Sequence, residues 1–338
     1  MEELEAFKRK YLAPSPEFVE NIKKLDGDLM ILGAGGKMGP SLAILAKEAL
    51  QKAGKDNHVI AVSRFSDQKI AKQLTSAGVK VVKTDLLKDD ELKRLPRVRN
   101  IIYMAGTKFG TAGNESFTWI MNSYLPGRIA EHFRSSRIVV FSTGNIYPYV
   151  PVYSGGATEY TAPQPLGEYA QSCLGRERVF EHFSKLHQIP VLIYRLNYAI
   201  DFSYGVLLEI AKSVLEDREI DLSTGHVNVI WQGDANEYAI RSLFLCESPA
   251  RKLNITGPET VSVRWAAEEF GRMFEKKPRF VNEEQPDALL SNASEAHKLF
   301  GYPKVSLKQM IDILAEWLNQ GGGTINKPTH FQERKGSY

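Results

Sequence analysis

Residues 29–46 read LMILGAGGKMGPSLAILA: a short apolar run, glycines at 33, 35, 36 and 39, then apolar positions at helical spacing. Leu29 to Leu32 followed by Leu42, Leu45, Ala46, Ala49 and Leu50 is the pattern of a strand that turns directly into a helix. Glycine in such a turn lets the chain reverse tightly, lets backbone approach a pyrophosphate and lets the helix pack close to the sheet. The helix start offers free amides to the anion. Pro40 falls where a fixed φ suits the first helical turn. Gly33, Gly36 and Gly39 follow a G-x-x-G-x-x-G spacing, with Gly35, Lys37 and Met38 completing the loop. A turn without a ligand is the plainer alternative, but the strand and helix flanks favour a nucleotide cradle.

Outward from this unit, apolar runs recur at VIAV (59–62), VKVV (79–82), NIIYM (100–104), RIVVF (137–141) and VLIY (191–194), and helical patterns separate most of them. Strands that are apolar throughout, alternating with helices, imply a parallel sheet covered on both faces. The fold class is therefore α/β, a Rossmann-type doubly wound parallel sheet, with a smaller C-terminal substrate lobe. We place an N-terminal extension at 1–27, the dinucleotide domain at 28–200, the lobe at 201–319 with freedom to return strands to the sheet, and a glycine linker with a polar tail at 320–338. Phe18, Ile22 and Leu25 predict one short packing helix in the extension, and the tail is expected to be loose or to lie on a neighbouring subunit.

The 338 residues carry 43 Lys plus Arg against 40 Asp plus Glu, a balance that argues against a nucleic-acid partner. Cys173 and Cys246 cannot form a disulfide framework, the start MEELEAFKRKYL lacks a signal-peptide core, and no run approaches a membrane span. A cytoplasmic protein is expected. The seven histidines show no metal-ligand spacing and no G-x-S-x-G elbow occurs, so no metal site is expected. At the end of the second strand, where an acid selects a free ribose 2′-hydroxyl, the chain has Ser63 and Arg64. With Lys37 as a second cation nearby, NADP is expected over NAD, although either cation could be solvated and Arg64 could stack on adenine.

The segments FSTGNIYP (141–148) and EYAQSC (168–173) add to this pattern. With the glycine loop, Asp85 and Leu86 after the third strand, YMAG at 103–106 and Asn122 in the following helix, the chain resembles the extended short-chain dehydrogenases/reductases, which include nucleotide-sugar epimerases and dehydratases. The resemblance runs from about Leu29 to Leu318. It implies that Asp85 and Leu86 contact adenine, that Ala105 and Gly106 lie along the cofactor, and that Asn122 supports the catalytic groups. It makes Thr143, four residues before Tyr147, the hydroxyl that orients the reacting oxygen, with Ser142 as the neighbouring candidate. It makes Tyr169 the proton donor or acceptor and puts Cys173 where the family has lysine. Leu196 and Asn197, in RLNYAI, fall near nicotinamide and substrate. Lys108, Asn145, Tyr147 and Trp231 are further substrate candidates. The resemblance also implies a homodimer through the helices near 114–134 and 167–187.

Loss of the lysine changes the chemistry expected of Tyr169. Phenols ionise near pH ~10, and cysteine supplies no cation to lower that value. The tyrosine then suits protonation of a carbonyl oxygen better than removal of an alcohol proton. Lys108 is the first candidate for a replacement cation. Substrate positioning or a plain core role remain alternatives for Tyr169, and a buried apolar role is the main one for Cys173. Trp231 is as suited to the core as to stacking on a sugar. Gly144 and Asn145 stand where the family's dehydratases carry an acidic pair, which disfavours sugar dehydration. The reading reached is an NADP-using oxidoreductase or epimerase acting on a hydroxyl or carbonyl of a sugar derivative, with NAD as the other possible cofactor. A cofactor-binding protein that has lost catalysis is the rival.

Overall fold

The computed structural model describes residues 2–108, 110, 113–325 and 327–336. Seven strands form the central sheet: β1 (Leu29–Leu32), β2 (Val59–Ser63), β3 (Lys80–Lys83), β4 (Asn100–Tyr103), β5 (Arg137–Thr143), β6 (Val191–Leu196) and β7 (Arg251–Ile255). Their order is β3-β2-β1-β4-β5-β6-β7, and every neighbouring pair is parallel. β1 and β4 are buried at every residue because helices cover both faces, whereas edge strand β3 exposes Lys80 and Lys83. Charge on an exposed edge discourages pairing with another chain. The order reverses between β1 and β4, which opens a crevice at the strands' carboxyl ends.

Alternate residues of each strand feed opposite cores. Leu29 and Ile31 pack under α3 (Gly39–Lys52) and α10 (Gln232–Arg241), while Met30 and Leu32 pack under α7 (Leu125–His132) and α8 (Gly167–His187). A separate core joins α9 (Val206–Leu215), α11 (Val263–Phe274) and α13 (Leu307–Asn319) in the C-terminal lobe. β7 comes from within that stretch of chain and completes the sheet. Among the described residues, no helix is long and apolar enough to cross a membrane.

Both chain ends differ from the expectation. The extension forms two helices, α1 (Glu2–Leu12) and α2 (Pro16–Ile22), where apolar spacing predicted one. Ser15 caps α2 and donates to Glu237 at 2.7 Å, and Arg241 binds Glu17 at 2.6 Å, so the extension is clamped onto α10. The tail is not loose. Phe331 is buried in the lobe core, the Thr329 amide donates to Glu209 at 2.7 Å, Tyr149 donates to the Glu333 carbonyl at 3.0 Å, and Arg334 pairs with Asp287. One aromatic anchor in a polar segment leaves no periodic signal, which is why composition alone suggested a tail that is loose or lies on a neighbouring subunit.

Candidate active site

Two cavities flank the glycine loop at the carboxyl edge of the sheet and share Gly33, Gly36 and Met104 as lining. Gly33 has φ +92°, and a Cβ there would lie 2.5 Å from the Ala105 nitrogen; one at Gly39 would lie 2.4 Å from the Ala34 carbonyl oxygen. The fold itself requires those two glycines. Gly36 is different: a Cβ would meet only the Gly33 oxygen at 3.6 Å, so no protein atom demands glycine. The open space above it, with cavities on either side, fits a dinucleotide that crosses the loop at its pyrophosphate.

One cavity, of about 290 Å³, brings together Gly35, Ser63, Arg64, Asp85, Leu86, Ala105 and Gly106. It gathers the residues expected to meet adenosine, hence the adenosine side. Asp85 accepts from the Leu87 amide at 3.1 Å and Asp67 caps α4 (Gln68–Ser76), so both carboxylates are engaged in their own turns. The second cavity, of about 300 Å³, is lined by Lys37, Met38, Lys108, Thr143, Asn145, Tyr169, Leu196 and Asn197, together with Tyr204 and, from the tail, Thr329. It gathers the residues expected to carry the reaction, hence the reacting side, and among the described residues no carboxylate lines it. Lys37 belongs here and not beside Arg64, which corrects the expectation of two cations on one 2′-phosphate. Its Nζ donates to the Ala199 carbonyl at 3.0 Å and lies 4.4 Å from the Tyr204 ring centroid. Burial lowers Lys37 to about 8, and it lowers Lys108 to about 8 as well, with the Lys37 charge adding to the effect on Lys108.

Tyr169 stands in the first turn of α8 and shares the cavity wall with Thr143 and Asn145, and Cys173 follows one turn on along the same helix. Burial pushes the Tyr169 phenol well above its ordinary value and also pushes the Cys173 thiol up, so both are neutral near pH 7. Thr143 ends β5; it donates to Asn145 Oδ1 and accepts from the Asn145 amide, both at 3.1 Å. Asn122 sits in a π turn (Ile120–Tyr124) between α6 (Glu115–Trp119) and α7. Pro126 has no N–H for the Asn122 carbonyl, and the helix widens at that point. From there the Asn122 carboxamide accepts from the Thr107 amide at 2.9 Å and donates to the Thr107 carbonyl at 2.9 Å and to Ser172 Oγ at 3.0 Å. It fixes the backbone beside Lys108 to the turn that carries Tyr169.

Three expectations are corrected. Tyr147 does not face the cavity: it is buried, donates to Asn254 at 2.8 Å and accepts from Arg195 at 2.6 Å. Trp231 is fully buried, donates to the Tyr11 carbonyl at 2.9 Å and packs edge-on against Phe202, so the core reading prevails over sugar stacking. Cys173 has no exposed surface, so it is not a cofactor contact, and its main, buried apolar reading is the one the structure fits. Residues not singled out in the sequence complete the site. Arg195 and Glu177 form a fully buried bidentate pair at 3.0 and 2.7 Å, and Glu177 also accepts from Ser142 at 2.6 Å. Arg176 donates to the Phe141 carbonyl at 2.8 Å and to Asn122 Oδ1 at 2.6 Å. The available signal was a charged residue in the stripe Tyr169, Cys173, Arg176, Phe180, whose spacing is that of a buried helix face.

A parallel sheet with this strand order, a glycine loop and paired cavities at the switch point define a dinucleotide-binding α/β protein. Residues 29–204, more than half of the chain, match the model of the NAD dependent epimerase/dehydratase family. The chain belongs to that family of enzymes. No curated protein sequence matches it. Solved structures with the same fold include UDP-glucuronic acid 4-epimerase from Bacillus cereus in complex with NAD, with 20% identity, a TM-score of 0.72, and coverage of 87% of this chain and 97% of that one. UDP-glucose 4-epimerase from Thermotoga maritima with UDP-glucose has 14% identity, a TM-score of 0.71 and coverage of 87% and 99%. Pal from Bacillus thuringiensis has 15% identity, a TM-score of 0.72 and coverage of 87% and 99%.

Proposed function

We propose that the protein is an NADP-using oxidoreductase or epimerase that acts on a carbonyl or hydroxyl carbon of a sugar derivative. What carries this reading is the placement of Tyr169 and Thr143 together on the wall of a cavity that opens onto Gly36. When bound, the nicotinamide supplies hydride acceptance or donation. Thr143 and Asn145 hold the reacting oxygen, and Tyr169 gives or takes its proton. Because burial keeps the phenol neutral, donation to a carbonyl oxygen is the favoured direction. Lys37 and Lys108 hold the anionic end of the cofactor from the reacting side. Arg64, with neither aspartate of its cavity free of local turns, supports the 2′-phosphate. Exposed Trp119, Ile120 and Tyr124 on the α6–α7 segment support dimerisation through that face, which sedimentation across a wide concentration range tests.

The test of the catalytic assignment is stopped-flow oxidation of NADPH and NADH with a panel of keto sugars and nucleotide keto sugars, for the wild type and Tyr169→Phe. Loss of general acid catalysis is expected to reduce turnover by about 10²–10⁴-fold while dinucleotide binding is unchanged. Bound dinucleotide with no turnover of any substrate would instead favour the cofactor-binding rival.

A further inference from the structure

We infer that Arg176 is the positioning cation for Tyr169, serving from two helical turns further along α8 the electrostatic role that the family resemblance expects of a lysine at 173. The inference rests on the proton-transfer role proposed for Tyr169. As the phenol gives up its proton, the Tyr169 O–H bond breaks, an O–H bond forms on the substrate oxygen, and the negative charge left on the phenol is stabilised by the guanidinium.

The first argument is an unbalanced charge. Arg176 is 7% exposed, and its two acceptors, the Phe141 carbonyl and the Asn122 carboxamide, are neutral. Its Nε is buried without a partner. The adjacent carboxylate, Glu177, is committed to Arg195 and Ser142, and no carboxylate pairs with Arg176 among the described residues. A buried ion without a counter-charge costs several kcal/mol, so such a residue persists where it has electrostatic work to do. Besides Glu177, the ionisable acids around it are Tyr169, Cys173 and Tyr103, and of these only Tyr169 lines the cavity. Cys173 and Tyr103 are fully buried.

The second argument is placement. Tyr169 and Arg176 are seven residues apart and share one face of α8; the axial gap is about 10 Å at 1.5 Å per residue. Helical side chains lean toward the N-terminus, which brings the long arginine back toward the phenol. Cys173 between them is short and leaves that path open. Above the guanidinium, a Cβ on Gly106 would fall 2.3 Å from Nη2, so glycine at 106 admits the arginine beneath the loop that borders the cofactor cleft. Asn122 ties the arrangement together: its Oδ1 takes the Arg176 donor, and its Nδ2 donates to Ser172 Oγ, which donates to the Tyr169 carbonyl at 2.8 Å. The groups that act on the phenol are then Cys173 and Arg176 from α8 and Thr143 from β5; one step further out, Lys108 from the loop after β4, with Lys37 behind it, acts on Cys173, and Tyr103 from β4 acts on Arg176.

The experiment places 3-nitrotyrosine at position 169 by codon reassignment and follows its visible absorbance against pH in the cofactor-free protein. Arg176→Gln is expected to raise the midpoint by about one unit, Arg176→Lys to keep most of the wild-type value, and Cys173→Ala to change little. Where Arg176→Gln does not fold, Arg176→Met carries the same comparison with apolar bulk in place of the charge. In the native enzyme, Arg176→Gln should lower kcat for reduction about tenfold at unchanged KM, with partial rescue by Arg176→Lys. Cys173→Lys should lower turnover, because it forces a second cation into an occupied space. An unchanged midpoint in a folded Arg176→Gln or Arg176→Met protein, or a gain of turnover in Cys173→Lys, would overturn the inference. Full activity of Tyr169→Phe would instead remove the proton-transfer reading while leaving the nitrophenol titration as an independent test of the electrostatics.

Discussion

The two cavities on either side of Gly36 are close in volume, about 290 and 300 Å³, yet they are built differently. The adenosine side is assembled from residues 33–125, each element following the last through a short connection. The reacting side draws on the glycine loop, the ends of β5 and β6, the first turn of α8, the start of α9 and the tail residue Thr329. Its charge differs too, with two lysines and no lining carboxylate among the described residues. The comparison teaches that the cavity beside Arg64 rests on nearby stretches of sequence, whereas the one beside Tyr169 depends on segments brought together by the whole fold.

The largest expected effect concerns the tail, which among the described residues lines the reacting-side cavity and not the other. Phe331→Ala removes a nearly fully buried ring from the lobe core and is expected to cost about 3 kcal/mol, the low end for a buried phenylalanine. Thermal unfolding should show that loss. The comparison sharpens if substrate turnover falls while dinucleotide affinity, measured by calorimetry, does not; an equal loss of both would mean that the tail supports the whole cleft.

Next comes the loop that the cavities share. Gly36→Ala meets no protein atom closer than 3.6 Å, so thermal stability should stay within about 0.5 kcal/mol of wild type. Dinucleotide affinity should nevertheless drop at least tenfold, about 1.4 kcal/mol, because the added methyl enters the space left for the ligand. Gly33→Ala, with φ +92° and a Cβ 2.5 Å from backbone, should destabilise the fold itself. If Gly36→Ala binds dinucleotide normally, the ligand does not cross the loop there and the pairing of the two cavities fails.

How much of this was legible follows the same division. Gly33, Gly36 and Gly39 declared the cradle because their spacing sits between an apolar strand and a helix, and Ser63 and Arg64 follow from the end of the second strand in a doubly wound sheet, whereas Asp85 and Leu86 came through the family resemblance. Tyr169 and Thr143 were found through the resemblance, not through any periodicity. Arg176, Glu177 and Arg195 were not, since a buried charge looks like a surface charge until its neighbours are known. Trp231 and Tyr147 misled for the opposite reason: an aromatic with a polar tip suits a site or a core equally, and here Tyr11, Asn254 and Arg195 satisfy those tips internally.

The lysines of the reacting side set a pH dependence that the adenosine side lacks. Burial lowers Lys37 and Lys108 to about 8 in the free protein, so both are protonated below that pH and lose their charge above it. An anionic ligand held by either ammonium raises its pKa, and binding must then take up a proton. Dinucleotide affinity should therefore be flat below pH 8 and fall as pH rises beyond it, by up to tenfold per unit for each lysine that must be reprotonated. For stability the sign is opposite: between about 8 and the unfolded lysine value the unfolded chain binds more protons, so the cofactor-free protein should gain stability as pH rises through that window. Lys37→Met should remove one proton from the linkage; calorimetry in buffers of different ionisation heat counts it.

Arg64 offers the smallest effect and the most direct test of the adenosine side. It is exposed, so a hydrogen bond from its guanidinium to a 2′-phosphate is screened by water and is worth on the order of 1 kcal/mol. Arg64→Ala is therefore expected to weaken NADP about fivefold and to leave NAD unchanged, with no effect on the Tyr169 chemistry across the loop. Equal weakening of both dinucleotides would mean that the guanidinium stacks on adenine, a contact that both ligands offer, and the NADP preference would then have no residue to carry it. Salt separates the two cases further: a phosphate contact weakens as ionic strength rises toward a Debye length of about 8 Å, whereas a stacking contact changes little.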